Sequence, residues 1–308
     1  MAVGGLVVDL VLRTVTVADL QGAAQGRIPI GPGLFIGNNV GLALLIPLAI
    51  LVNRAFFGQS AGWLSSVAGR FRWRWLGWSV LVVGVPLVLL LGIETLIEGG
   101  LPAPPWPPSV WTMLALTLLT TPLQAAGEEW AFRGLVPRCV AAMVPGARLG
   151  AALGVVVSSL LFVLAHSAAD PWLNVFYFLF ALIQSALVWR TGGLESAVVL
   201  HAVNNLAALV PVVLTGDYSA IGDRGAGTGS AASLVPIVLI TGLVFLADLV
   251  RRRRGVVRTA APGLALLPPP APAYPPPVGD SEIRWPGDTL GPYEHRDQPP
   301  APEREQRP

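Results

Sequence analysis

Seven stretches of this 308-residue chain stay apolar, with little charge, for about as long as a helix needs to cross a bilayer. A hydrocarbon core about 30 Å thick is spanned by roughly 20 apolar residues. Inside lipid the backbone must satisfy its own hydrogen bonds, so such blocks form helices unless they close a barrel. The blocks run Leu34–Val52, Leu76–Ile97, Val110–Ala126, Leu149–Ala165, Trp172–Trp189, Leu194–Leu214 and Ala232–Val250. Their apolar residues are continuous and lack the 3.6-residue spacing of an amphipathic helix. Only 12% of the chain is charged, against about 25% in a typical soluble domain. The expected fold is all-α: a polytopic transmembrane bundle of seven helices in the cell membrane, followed by a disordered tail. A weaker segment, Gly4–Ala18, carries Asp9 and Arg13 and would supply an eighth helix. It lacks a basic leader and does not read as a signal peptide.

The residues between the blocks suggest a topology. The chain has no lysine, so its basic residues are all arginine, a pattern that fits a GC-rich bacterial coding bias. Arg54, Arg70, Arg72 and Arg74 fall in one loop, interleaved with Trp73, Trp75 and Trp78. Arg133, Arg138 and Arg148 follow the third block, and Arg251–Arg254 follow the last. Arginine beside tryptophan at block ends reads as a membrane interface and not as a nucleic-acid patch. The positive-inside rule puts these segments and Arg190 in the cytoplasm, with the proline loop 101–108 and the loop 215–230 outside. Glycines four apart (Gly33, Gly37, Gly41; Gly150, Gly154) allow close helix packing. Cys139 is the sole cysteine, which excludes an intrachain disulfide and a cysteine-based zinc site. Residues 1–254 form the expected membrane domain. Residues 255–308, with Pro268–Pro270 and Pro275–Pro277, read as a proline-rich disordered cytoplasmic tail with room for a docking partner.

Polar groups inside membrane helices are costly and mark function. Three clusters stand out. Glu128-Glu129 and Arg133 lie at the expected cytoplasmic end of the third span. If the helix continues, Glu129 and Arg133 share a face and pair, while Glu128, rotated about 100°, is left for chemistry. His166 closes the fourth span, with Phe162 four residues before it. His201 and Asn205, four apart in the sixth span, project on one face. Each cluster alone also reads as interhelical packing. Together they hold two of the chain's three histidines, an acidic pair and an amide. A carboxylate can take a proton from water while imidazole orients it, and a histidine and an amide can donate to an oxyanion.

The ordered set Glu128-Glu129…Arg133, Phe162…His166 and His201…Asn205 resembles the CPBP family, the CAAX protease and bacteriocin-processing (Abi) group that includes type II CAAX prenyl proteases. The resemblance covers about residues 110–213. It implies an intramembrane endopeptidase, a hydrolase acting on membrane-associated peptides or proteins from a polar cavity open to the cytoplasm. By that resemblance Glu128 and His166 activate the water, His201 and Asn205 stabilise the oxyanion, and Glu129 and Arg133 support the site. The family is often labelled metalloprotease, and Glu128, His166 and His201 would then be the zinc ligands. No compact metal motif such as His-Glu-x-x-His is present, and a glutamate-activated water needs no metal. Two rival classes fit the same residues: a proteolytically silent scaffold or immunity-type binding protein, and a proton-coupled transporter. The chain lacks the internal repeat many transporters carry.

Overall fold

The computed structural model describes residues 30–260 apart from Glu98, together with Asp9. The segment Gly4–Ala18 (Asp9 excepted) and the tail from residue 261 lie outside the described residues. The described chain is helical, and its one β feature is an isolated bridge between Ser66 and Gly193.

The helices are α1 (Pro32–Ala43), α2 (Leu45–Phe57), α3 (Ala61–Ser65), α4 (Trp73–Ser79), α5 (Val85–Ile97), α6 (Pro108–Glu128), α7 (Val136–Ala142), α8 (Ala147–His166), α9 (Pro171–Thr191), α10 (Glu195–Thr215) and α11 (Val235–Arg253). Among the described residues, six helical segments are long and apolar enough to cross a membrane: Pro32–Phe57, Trp73–Ile97, Ala147–His166, Pro171–Thr191, Glu195–Thr215 and Ala231–Arg253. The chain is a multi-pass membrane protein. The remaining expected block exists as α6 but falls short in apolarity. Thr112, Thr117, Thr120, Thr121 and Gln124 interrupt it, and three of these five side chains (Thr117, Thr121, Gln124) are buried toward the protein.

Two π-helical segments join α4 to α5 (Val80–Gly84) and α6 to α7 (Glu129–Leu135). Each sits just ahead of a proline in the next helix, Pro86 or Pro137. Proline has no N–H to donate and its ring crowds the preceding turn; a wider turn passes the irregularity without ending the helix. Pro122 and Pro211 sit inside α6 and α10 without such a turn. Consequently the chain stays helical from Pro108 to Ala142. The third span does not stop near Ala126, and Glu128-Glu129 lie within a continuous rod, not at its end.

The elements α6, α9, α4 and α5 all pack on α10. The main core joins Val83, Leu87, Phe162, Phe180, Leu200 and Ile240 from five spans. Glycines bring backbones together where the site needs it. A Cβ at Gly127 would stand 2.0 Å from the Leu42 carbonyl oxygen, so α6 meets the α1–α2 junction one residue before Glu128. A Cβ at Gly154 would lie 2.7 Å from the Pro137 carbonyl oxygen, which places α8 directly on α7. Asp9 accepts from the Gly33 and Leu34 amides, both at 2.6 Å, and so satisfies two free N–H groups at the start of α1.

Three arginine-bearing segments, the loop before α4 and the ends of α9 and α11, meet on one face of the bundle. Arg72 was expected to face headgroups; it instead turns inward, where Glu195 accepts from its backbone amide, Nε and a terminal nitrogen. The same guanidinium donates to the carbonyls of Thr191 and Val257. Asp248 receives Arg190, Arg251 and Arg252. Arg254 and Arg258 lie over Trp78 and Trp189 at 3.8 and 4.1 Å. These contacts bring the 66–72 loop, the α9–α10 turn and the end of α11 together.

Candidate active site

The site is built where α6 passes into its π-turn and meets α8, α9 and α10. His201 lies six residues into α10, about 9 Å along the axis from Glu195, and is 2% exposed. Its imidazole bridges both acids: Nδ1 is 2.7 Å from Glu129 Oε1, and Nε2 is 3.6 Å from Glu128 Oε2. The rings of Phe162 and Phe180 meet it edge-on at 5.8 and 5.4 Å, which fixes its plane.

The adjacent glutamates have different surroundings. Glu129 Oε1 takes Arg133 at 3.2 Å, His201 at 2.7 Å and Gln184 Nε2 at 3.3 Å. The expected Glu129–Arg133 pair is therefore formed, with the guanidinium 4.2 Å over the Phe162 ring. Glu128 makes no ion pair with Arg133 among those formed in the described residues. Its Oε1 accepts from Gln124 Nε2 at 2.6 Å, while Oε2 takes no hydrogen bond from the described residues. One carboxylate is thus held by charge and the other by an amide, and the second keeps an oxygen that faces His201 without accepting a hydrogen bond among the described residues.

Asn205 does not share a partner with His201. Its Nδ2 donates to Gln124 Oε1 at 3.1 Å, so it joins Glu128 through Gln124. His166 bonds to none of the other candidates, either directly or through a shared side chain. Its Nδ1 pairs with the Phe162 carbonyl at 2.8 Å, and its ring lies between Phe162 (4.4 Å) and Tyr177 (4.1 Å). Phe162 stands between the two histidine rings. Arg224, from the loop after α10, donates to the Tyr177 hydroxyl at 3.2 Å and so backs this ring stack.

The candidate metal ligands do not assemble as such. Among the described residues no group of three or more His, Cys, Asp or Glu side chains is gathered to hold a metal ion. Glu128 and His201 approach each other, but His166 turns Nδ1 onto its own helix. In this arrangement the three do not fit a metal.

Two site residues escape a motif reading: Gln124 and Gln184. Both leave a trace in the sequence as amides inside apolar blocks. Gln124 precedes Glu128 by one helical turn, and Gln184 is wholly buried, bonding both Glu129 and the Ala197 carbonyl. The π-turn also has a visible partner. Ser158 of α8 donates its hydroxyl to the Phe132 carbonyl, occupying an acceptor in the widened turn.

Residues 107–207 match the family model described as type II CAAX prenyl endopeptidase Rce1-like. The motif-bearing segment is similar to that family. The Rce1-like segment opens at the proline loop before α6 and closes two residues after Asn205, so it contains all three motifs and both glutamines. It agrees closely with the 110–213 region that the motifs mark out. No curated protein and no solved structure matches the chain.

Proposed function

We propose that this protein is an intramembrane endopeptidase that hydrolyses peptide bonds of membrane-associated peptides or proteins with a glutamate-activated water. The observation that carries the reading is Glu128 Oε2, buried within an Rce1-like segment, 3.6 Å from His201 Nε2 and accepting no hydrogen bond from the described residues. A buried carboxylate with one oxygen hydrogen-bonded and one not is arranged to accept a proton from water.

In this mechanism Glu128 Oε2 removes a proton as the water oxygen attacks the scissile carbonyl carbon. The carbonyl becomes a tetrahedral oxyanion. His201, its Nδ1 side held by Glu129, and Asn205, through its second amide hydrogen, stabilise that oxyanion. The proton held by Glu128 then passes to the leaving nitrogen, the C–N bond breaks, and a carboxylic acid and an amine result. His166 orients the incoming water from the Phe162–Tyr177 stack. Glu129, Arg133 and Gln184 hold the imidazole. The arginine-rich face is assigned to the cytoplasm by the positive-inside rule, which puts the tail on that side, with residues 1–254 as membrane domain and 255–308 as tail.

The test compares purified wild type with Glu128→Ala and His201→Ala on a library of membrane peptides. Wild type is expected to cut, and both variants to fall by about 10²-fold or more. A wild type that cuts nothing, or a Glu128→Ala variant that cuts equally well, overturns the reading. Exhaustive chelation is expected to leave activity intact; its loss, restored by zinc, would replace the glutamate-activated water with a metal-bound one.

A further inference from the structure

We propose that Gln124 is a positioning residue that locks the water-activating carboxylate and the oxyanion donor into one orientation; the inference rests on the endopeptidase reading above. The argument is one of donors and acceptors. In the proposed reaction Glu128 starts as a carboxylate, which only accepts hydrogen bonds. Gln124 meets Glu128 Oε1 at 2.6 Å, so it must present its NH₂ end there. Its carbonyl therefore faces the other way, toward Asn205, and accepts from Nδ2 at 3.1 Å. Asn205 in turn must present its own NH₂ to Gln124, and its Oδ1 accepts from Asn204 Nδ2 at 3.4 Å. The chain Asn204→Asn205→Gln124→Glu128 thus has a single direction, set at the carboxylate end, and each bond in such a chain strengthens the next.

Two properties of the site follow. Occupying Oε1 leaves Oε2 as the Glu128 oxygen that meets water. Holding one Nδ2 hydrogen orients the Asn205 amide so that its second hydrogen, not its carbonyl, is available to an oxyanion. Without Gln124 the Asn205 amide is free to turn over and present an oxygen, which repels the developing charge. The bridge also crosses helices. Gln124 and Glu128 share α6, whereas Asn205 comes from α10, so this amide sets the distance between base and donor. Gln124 is 8% exposed and reaches its effect through the other two side chains.

The experiment uses the full-length protein in detergent and the library peptide that wild type cuts fastest. Gln124→Met keeps the volume and loses both bonds; Gln124→Glu keeps an acceptor for Asn205 and loses the donor to Glu128. Both are expected to lower kcat about 10²-fold with KM within about twofold, since misplacing a catalytic group by about 1 Å carries that penalty. In an Asn205→Ala background Gln124→Met is expected to cost less than about fivefold more, because residues acting as a unit are not additive. A Gln124→Met kcat within twofold of wild type, or a fully multiplicative double variant, overturns the proposal. So does loss of folded protein, read by thermal unfolding, that accounts for the lost activity in both variants. A wild type that cuts nothing brings down the endopeptidase reading and this inference together. A wild type that cuts, a Glu128→Ala that does not, and a Gln124→Met that cuts normally bring down this inference alone.

Discussion

Arg72–Glu195 and Arg133–Glu129 are both buried arginine–carboxylate pairs in one bundle, and they differ in how fully their hydrogen bonds are met. Glu195 accepts at 2.6, 2.8 and 2.9 Å from Arg72, and both its oxygens are engaged. The remaining guanidinium nitrogen finds the Thr191 carbonyl at 3.0 Å. In the second pair the closest approach is 3.2 Å, and Glu129 Oε2 and both terminal nitrogens of Arg133 lack hydrogen-bond partners among the described residues. The first pair is saturated and ties loops together at the arginine-rich face. The second carries unspent donor and acceptor capacity beside Glu128 and His201. Burial of a charge is costly unless its hydrogen bonds are satisfied, so stability built the first pair and the second keeps polar capacity for another use.

Variants of the two pairs test this contrast. Glu195→Ala leaves Arg72 buried without its partner and is expected to cost about 3–5 kcal/mol, read as a lowered unfolding midpoint in detergent, with activity per folded molecule retained. Arg133→Met is expected to do the reverse. His201 and Gln184 still serve Glu129, so the stability loss is smaller than that of Glu195→Ala, while kcat falls about 10²-fold through a misplaced imidazole. Equal stability losses for the two would abolish the distinction. Gly127→Ala drives a methyl into the Leu42 carbonyl and is expected to cost about 1–3 kcal/mol, with a loss of kcat at temperatures where the fold persists, because Glu128 is the next residue. Ser196→Ala removes a 2.8 Å hydroxyl contact with Ser79 beside the saturated pair. Such interhelical bonds are worth about 0.6 kcal/mol in a membrane protein, so a small midpoint shift with unchanged kcat is expected.

Much of the fold was legible in the sequence because lipid leaves a chain few choices. Each long apolar block became a helix, and Gly150 and Gly154 mark where α8 lies on α7. The misreadings have physical causes. The block near Val110–Ala126 has its apolar surface diluted by threonines and Gln124, and the helix runs on through Glu128 because a π-turn accommodates Pro137. Arg72 looks interfacial beside its tryptophans, yet Glu195 lies 123 residues away in sequence and becomes its partner only when α10 packs on α4. The Glu129–Arg133 pair was readable because both groups sit on one rod. The Asn205–Gln124 bridge was not, because it joins two.

The sequence alone determined that this chain resides in a membrane, that its spans are helical, and where polar residues interrupt those spans, since these depend on local composition and spacing. The tertiary structure decided which helix faces meet. It set His201 between two glutamates, joined Asn205 to Glu128 through Gln124, kept His166 on its own helix, and left one Glu128 oxygen without a hydrogen bond from the described residues. Those outcomes depend on the relative rotation and depth of separate rods, which hydrophobic blocks specify only loosely and side-chain packing between them specifies fully.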